Sequence, residues 1–331
     1  MQMLNPINPN RLDPEELSKN LGPFGSWPSQ GIPEGYFELP MIGEASDFYQ
    51  ENGWIVIHKA LSEKRIQQIL NETTRISRNS NGEIGGIEPA PAEMSDDDAC
   101  RRVLCIHHPH KMSPLFKEAL AFPELTSVLT QLIGNNVKAM QSMLFLKASG
   151  KPGQAWHQDE DFIPTRDRSL TGAWIALDDA TVENGCLWVV SGSHKPGVLW
   201  PQKVHNDSRF DCTRESYNFP WQHEDSIPVE VKKGSIVFFN GYTLHRSLPN
   251  RAESGYRRSL VNHYMSAESF LPWRKPEHNS MAQADYRDIE VVAGVDPYAY
   301  KGTVELSHAH VRPDGQGGCD DQNDEPKKKL D

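Results

Sequence analysis

Ala139-Met-Gln-Ser-Met-Leu-Phe-Leu-Lys-Ala148 is where this chain changes period. Before it, apolar residues recur at helical spacing, as Ile66, Ile69, Leu70 and Ile76 do within Leu61 to Ser77. From residue 137 onward the pattern is that of strands, predicted at Ala139–Ala148, Gly172–Leu177, Cys186–Val190, Ile227–Val231, Ser235–Phe239 and Arg257–Ser266. Turns rich in Gly, Pro, Asn and Asp separate them. Short strands in series with such punctuation predict a sandwich or barrel, here a jelly roll, mainly β with flanking helices.

Outward from that core, a helix is expected from about Glu44 to Asn52, then a short strand through Gly53-Trp-Ile-Val-Ile57. Phe116 to Ile133 reads as two short helices broken at Pro123. Asn79 to Asp98, made of Gly, Pro and acidic residues, reads as a mobile loop and a lid. Gly197 to Ser226 is long, polar and aromatic, and is expected to cross the mouth of the barrel. Residues 1–40 are rich in Pro and Gly and read as an extended arm, part of which packs on the body through Phe24, Trp27, Tyr36 and Phe37. The main domain is placed at 41–272, followed by a C-terminal extension at 273–331 whose end, from about 315, is expected to be disordered.

Composition narrows the function. Hydrophobic content of 37% supports a real core, and no apolar run approaches the ~20 residues of a membrane span. A net charge of -11 argues against nucleic acid as partner. Five cysteines (100, 105, 186, 212, 319) with no CxxC pair argue against a disulfide framework or zinc knuckle and fit a reducing cytoplasm. The first twenty residues lack the apolar stretch of a signal peptide, and the final Lys-Lys-Lys-Leu-Asp is neither an ER nor a peroxisomal address. The expected location is cytoplasmic and the expected partner a small molecule; oligomeric state is not legible.

The chemistry lies in His157-Gln158-Asp159. On an extended chain residues i and i+2 share a face, so His157 and Asp159 aim at one point while Gln158 turns away. His245, exposed after the strand and tight turn of Phe238-Phe-Asn-Gly-Tyr242, is the best third ligand. Two histidines and one carboxylate on one octahedral face leave three positions open, a geometry of non-haem Fe(II) rather than structural zinc. A bare H-x-D among 13 His and 45 acidic residues occurs by chance, so the surroundings must decide. Arg257 opens a strand after Tyr256, and its fork suits the distal carboxylate of a dicarboxylic ligand. Ser259 shares its face, and Ser247 shares a face with His245. Arg258 is the rival that parity alone leaves open.

Three blocks in order, Gln154-Ala-Trp-His157-Gln-Asp159, Gly172 to Trp188 and Gly192-Ser-His194-Lys-Pro-Gly197, resemble the phytanoyl-CoA dioxygenase family, nearest its domain-containing subgroup, over roughly residues 47 to 268. The resemblance implies a double-stranded β-helix of the cupin-like kind. It implies Fe(II), 2-oxoglutarate as cosubstrate and O2, with ascorbate as accessory reductant. His157, Asp159 and His245 match the iron triad. Arg257 matches the arginine that binds the 2-oxoglutarate C5 carboxylate, which selects it over Arg258. Ser247 matches a hydroxyl at the same carboxylate, and Met143, Gln158 and Trp174 match further cosubstrate contacts. Arg102 aligns with a basic residue, usually Lys, at the other end of the cosubstrate. The implied activity is hydroxylation of a small organic substrate with release of succinate and CO2. Related halogenases carry a small residue where Asp159 stands, so oxygenation is expected instead. A free small metabolite is favoured over a CoA thioester, because no basic cluster near the mouth offers to bind CoA phosphates.

Other conspicuous residues have plainer readings. His107, His108 and His110 are expected to pack near the mouth rather than hold a second metal, and His194 to be a structural hydrogen bonder. His263, on the face of Arg257, is a candidate to support a metal ligand from behind. Glu160 and Asp161 read as a solvated acidic turn, and most of Trp156, Phe162, Trp188, Trp200 and Trp221 as core. There is no G-x-S-x-G elbow and no glycine-rich phosphate loop. The competing readings are a non-catalytic jelly-roll module that binds a metal or small ligand, and a zinc hydrolase.

Overall fold

A computed structural model describes residues 34–41, 43–269 and 287–313 of the chain. The N-terminal half supplies β1 (Tyr36–Phe37), helix α1 (Gly43–Asn52), β2 (Trp54–Ile57), α2 (Glu63–Arg78), α3 (Asp96–Arg101), β3 (Val103–His107), α4 (Pro114–Ala119) and α5 (Pro123–Leu132). Then come β4 (Val137–Ala148), β5 (Gln154–His157), the single turn α6 (Asp159–Phe162), β6 (Thr171–Ala176) and β7 (Leu187–Val190). β8 (Gln202–Lys203) and β9 (Glu215–Ser216) pair with each other. β10 (Ser226–Val229), β11 (Ile236–Asn240), β12 (His245–Ser247), β13 (Tyr256–Ser266), β14 (Glu290–Ala293) and β15 (His310–Pro313) complete the order.

Two sheets face each other. The larger runs β1-β2-β11-β6-β13-β4-β3-β15, with β14 also on β4; the smaller runs β10-β7-β12-β5. Strand alternation divides the core in two. Ile55, Ile57, Ala173, Ile175, Ile236, Phe238, Leu144 and Leu146 point to the helices, where Ile66 and Ile69 of α2, Phe116 of α4 and Leu125 of α5 meet them. The intervening residues Trp54, Val56, Trp174, Ala176, Val237, Phe239 and Val261 point to the smaller sheet and meet Leu187, Val189 and Val229. Each fully buried aliphatic or aromatic side chain in these layers contributes roughly 1.5–3 kcal/mol of transfer free energy. This is the expected jelly roll, with the helices on the outer face of the larger sheet.

The helices start and stop where their ends are satisfied. Ser62 Oγ accepts from the Arg65 amide at 3.3 Å, and Asn79 closes α2 in the left-handed conformation. Pro123 takes the first turn of α5, where its missing N–H costs nothing, and so separates α5 from α4.

Strand pairing crosses both expected domain boundaries. β1 lies in the expected arm yet pairs in parallel with β2; Phe24 and Trp27 fall outside the described residues. Within the expected extension, β14 pairs with β4 and β15 with β3, because both leave backbone groups open along one edge of the larger sheet. The expected disordered tail falls outside the described residues. The loop after α2, expected to be a lid, is tied down instead. Asn79 Nδ2 donates to Ile84 O and Ile87 O, Arg78 holds Met94 O and Asp96, and Gly85 bridges to His310.

Candidate active site

β5 and β12 are neighbours in the smaller sheet, and their register sets His157 directly opposite His245. Asp159 follows two residues later as the first residue of α6. One donor atom from each of the three residues lies within 4.8 Å of the others. His157 Nε2 is 3.5 Å and His245 Nε2 3.6 Å from Asp159 Oδ1. All three side chains are buried. The expectation that His245 is exposed is corrected: it opens a strand inside the sandwich, under the Phe239 ring at 4.6 Å between centroids. That ring fits because residue 172 is glycine; a Cβ there would stand 2.6 Å from Phe239.

Backbone carbonyls orient both imidazoles. His157 Nδ1 donates to Ala155 O at 2.8 Å and His245 Nδ1 to Thr243 O at 3.0 Å, which leaves both Nε2 lone pairs facing Asp159. His263 Nε2 donates to Asp159 Oδ2 at 2.9 Å and so leaves Oδ1 for the shared point. Burial alone would raise the Asp159 carboxyl, but His245, His263 and His157 outweigh it and hold the group well below the usual carboxylate range. Burial, with His157 beside it, lowers His245 to about 4. The carboxylate is therefore ionised and His245 neutral at neutral pH, the state in which they can ligate a metal. Two imidazole nitrogens and one carboxylate oxygen, preset and facing one point, fit a divalent iron.

The triad forms one end of a pocket of about 620 Å³. Along β13, Arg257, Val261 and His263 face it; along β4, Met143, Phe145 and Lys147 do; Trp174, Ser247, Leu187, Leu104 and Asp211 also border it. Arg257 is buried, its guanidinium carbon 5.3 Å from the Trp174 ring centre, and Nη1 donates to Ser259 Oγ at 2.8 Å. Its buried Nε has no hydrogen-bond partner among the described residues. Burial lowers this guanidinium to about 10. Arg258 points the other way and is taken up by Asp178 at 2.7 Å, so of the two arginines Arg257 is the one that faces the pocket.

The pocket thus gathers seven of the nine expected site residues: His157, Asp159, His245, Arg257, Ser247, Met143 and Trp174. Two are corrected. The Gln158 side chain turns away, as its parity requires. It donates to Tyr242 O at 2.8 Å and Val198 O at 3.0 Å and accepts from the Trp200 amide, stapling the 197–226 loop rather than facing the pocket. Arg102 caps α3 and donates to Glu88 O and Ser77 O; Leu104, two residues further along, borders the pocket instead. Glu160 is not a solvated turn residue but is buried, where Oε1 accepts from Thr165 and burial raises its pKa. His194 bonds Gln50 O, as expected of a structural histidine. Lys147 and Asp211 were missed. Lys147 is legible from parity with Met143 along β4; Asp211 sits in a loop without a pattern.

Fold and site together define a double-stranded β-helix protein with a two-histidine, one-carboxylate centre and a buried arginine in one pocket. The chain belongs to the phytanoyl-CoA dioxygenase (PhyH) family, whose model matches residues 49–259. It is 35% identical over 172 residues to a phytanoyl-CoA dioxygenase of Arabidopsis thaliana, a match covering 51% of this chain and 58% of that relative. It is 30% identical over 237 residues to the peroxisomal phytanoyl-CoA dioxygenase of Rattus norvegicus, covering 68% of each. Among solved structures it resembles the non-heme alpha ketoglutarate dependent carbocyclase SnoK from nogalamycin biosynthesis. That likeness has a TM-score of 0.56 at 23% identity, over 77% of this chain and 97% of that one. No helix among the described residues is long and apolar enough to cross a membrane.

Proposed function

We propose that the chain is an Fe(II)- and 2-oxoglutarate-dependent dioxygenase that hydroxylates a small organic substrate and releases succinate and CO2. The observation that carries this reading is the coexistence, in one pocket, of the triad at one end and buried Arg257 at the other. His157, Asp159 and His245 would hold the iron, which supplies activation of O2 coupled to decarboxylation of the cosubstrate. Arg257 and Ser247 would bind the distal carboxylate, with Met143 and Trp174 walling the chain between its ends. His263 keeps Asp159 oriented. Asp159 fills the position that a halogenase leaves open, which favours hydroxylation. Leu104, Phe145, Leu187 and Val261 give the pocket its apolar surface. A free metabolite is the favoured substrate class and the cytoplasm the favoured location, whereas the rat relative is named as peroxisomal.

The test is succinate formation from 2-oxoglutarate by purified protein with Fe(II), ascorbate and O2, screened across small metabolites. Asp159→Ala should abolish it. Wild-type turnover in that variant would refute the triad. A wild type that makes no succinate, coupled or uncoupled, would favour a non-catalytic binding module.

A further inference from the structure

The arginine end of the pocket holds a second cation. Lys147 on β4 is the cross-strand partner of Arg257 on β13, and its side chain is 4% exposed. Lys147 Nζ donates to Ser247 Oγ at 2.9 Å and to Leu248 O at 2.7 Å, and lies 3.5 Å from Gly185 O. All three acceptors are neutral. The nearby acids are occupied elsewhere: Asp211 by Arg312 at 2.7 Å and Asp178 by Arg258 at 2.7 Å. Two buried cations side by side without a carboxylate are unfavourable unless an anion joins them.

Hydrogen-bond polarity adds a second point. An ammonium group has three donors and no lone pair, so Ser247 Oγ can only accept from it. The Ser247 proton must then be donated elsewhere, and Ser247 borders the pocket. Its position is fixed by close backbone packing, since a Cβ on Gly153 would meet Ser247 O at 2.0 Å.

We propose that Lys147 is a positioning residue for the cosubstrate: it turns the Ser247 hydroxyl proton into the pocket and, with Arg257, makes a two-cation seat that selects a 2-oxo acid with a second carboxylate. Burial and the Arg257 guanidinium pull the Lys147 ammonium well below its ordinary range, and a carboxylate seated between the two relieves that cost. Asp211 and Cys186 act on it in the opposite sense, more weakly.

This inference rests on the proposed 2-oxoglutarate site, and the experiment separates the two. Calorimetry would measure binding of 2-oxoglutarate, and of 2-oxopentanoate, which lacks the distal carboxylate, to Zn(II)-loaded protein. Wild-type protein that binds neither acid overturns the site itself. Given wild-type binding, Lys147→Met should weaken 2-oxoglutarate by about 10–100-fold, through loss of a buried positive charge beside the carboxylate and of the Ser247 proton it directs. It should leave 2-oxopentanoate within about threefold. In the Lys147→Met background, Ser247→Ala should cost clearly less than in the wild type, because the two side chains act as a unit. Equal losses for both acids would make Lys147 merely structural and overturn the inference, as would unchanged 2-oxoglutarate affinity or full additivity with Ser247→Ala. Should the methionine variant not fold, Lys147→Gln, which keeps a donor but no charge, carries the same comparison.

Discussion

Replacing Arg257 with methionine separates binding from folding. Met retains much of the apolar bulk packed against Trp174 and removes the guanidinium. A carboxylate held by the arginine fork accepts two charge-assisted hydrogen bonds, each worth roughly 1.5–3 kcal/mol. Their loss corresponds to a rise in Kd of about 10²–10⁴-fold. Lys147 remains across the strand pair and still attracts the carboxylate, so the lower part of that range, about 10²–10³, is expected. Stability should move differently. Among the described residues Arg257 bonds the neutral Ser259 hydroxyl, and its Nε has no partner. Removing a buried cation without a counter-ion should leave the ligand-free melting temperature unchanged or raise it. Calorimetric titration with 2-oxoglutarate and thermal denaturation without it read the two effects. Affinity within about threefold of wild type would refute the anchor. A fall of more than about 2 kcal/mol in ligand-free stability would mean that Arg257 serves mainly to hold Ser259 and Trp174 in place.

Two further outcomes follow from the same geometry. His263→Phe removes the bond that holds Asp159 Oδ2, and metal affinity should fall about 10–100-fold in a Zn(II) or Mn(II) titration; unchanged affinity would show that His263 does not orient the carboxylate. Acidification should destabilise the fold before the carboxylates titrate. Burial lowers His110 and His107 to about 3 and His108 and His223 to about 4, whereas in the unfolded chain they titrate near 6.5. Between those values the unfolded state binds more protons, so this stability is fully present above about pH 6.5 and declines as pH falls towards 4. For His110, buried against Ser142, the slope approaches about 1.4 kcal/mol per pH unit. A urea midpoint that stays constant from about pH 7 to about pH 5 would contradict this.

The sequence disclosed what repeats and what is local. The six predicted strands match β4, β6, β7, β10, β11 and β13 to within two residues at each end, because a strand buried on two faces reads as an apolar run bounded by turn residues. β5 and β12, which carry the triad's histidines, are only four and three residues long, too short for a period to register. The grouping of His157 with Asp159 was legible from parity, that of His245 from the turn before it, and Arg257 drew notice through the motif around it. Parity also carried the means to correct the Gln158 assignment, since a residue between two ligands points away from them. Arg102 rests on the resemblance alone; here it stands at a helix end and donates to backbone carbonyls, while Leu104 borders the pocket. The edge strands β14 and β15 depend on which backbone groups a distant strand leaves open, and no local pattern records that.

Charge orders the pocket along its length. At one end a carboxylate is surrounded by three imidazoles, two of which turn lone pairs towards it once their Nδ1 protons are committed to carbonyls. At the other end two cations face each other across a strand pair, and among the described residues their hydrogen-bond partners are neutral oxygens. A ligand that chelates at the first end and carries a fixed negative charge at the second satisfies both. A monocarboxylic 2-oxo acid satisfies one end and leaves the cations bare; a plain dicarboxylate reaches the cations but lacks the keto oxygen for chelation. Between the two ends, Leu104, Phe145, Leu187 and Val261 supply uncharged apolar surface, so neither of those demands for charge is repeated there.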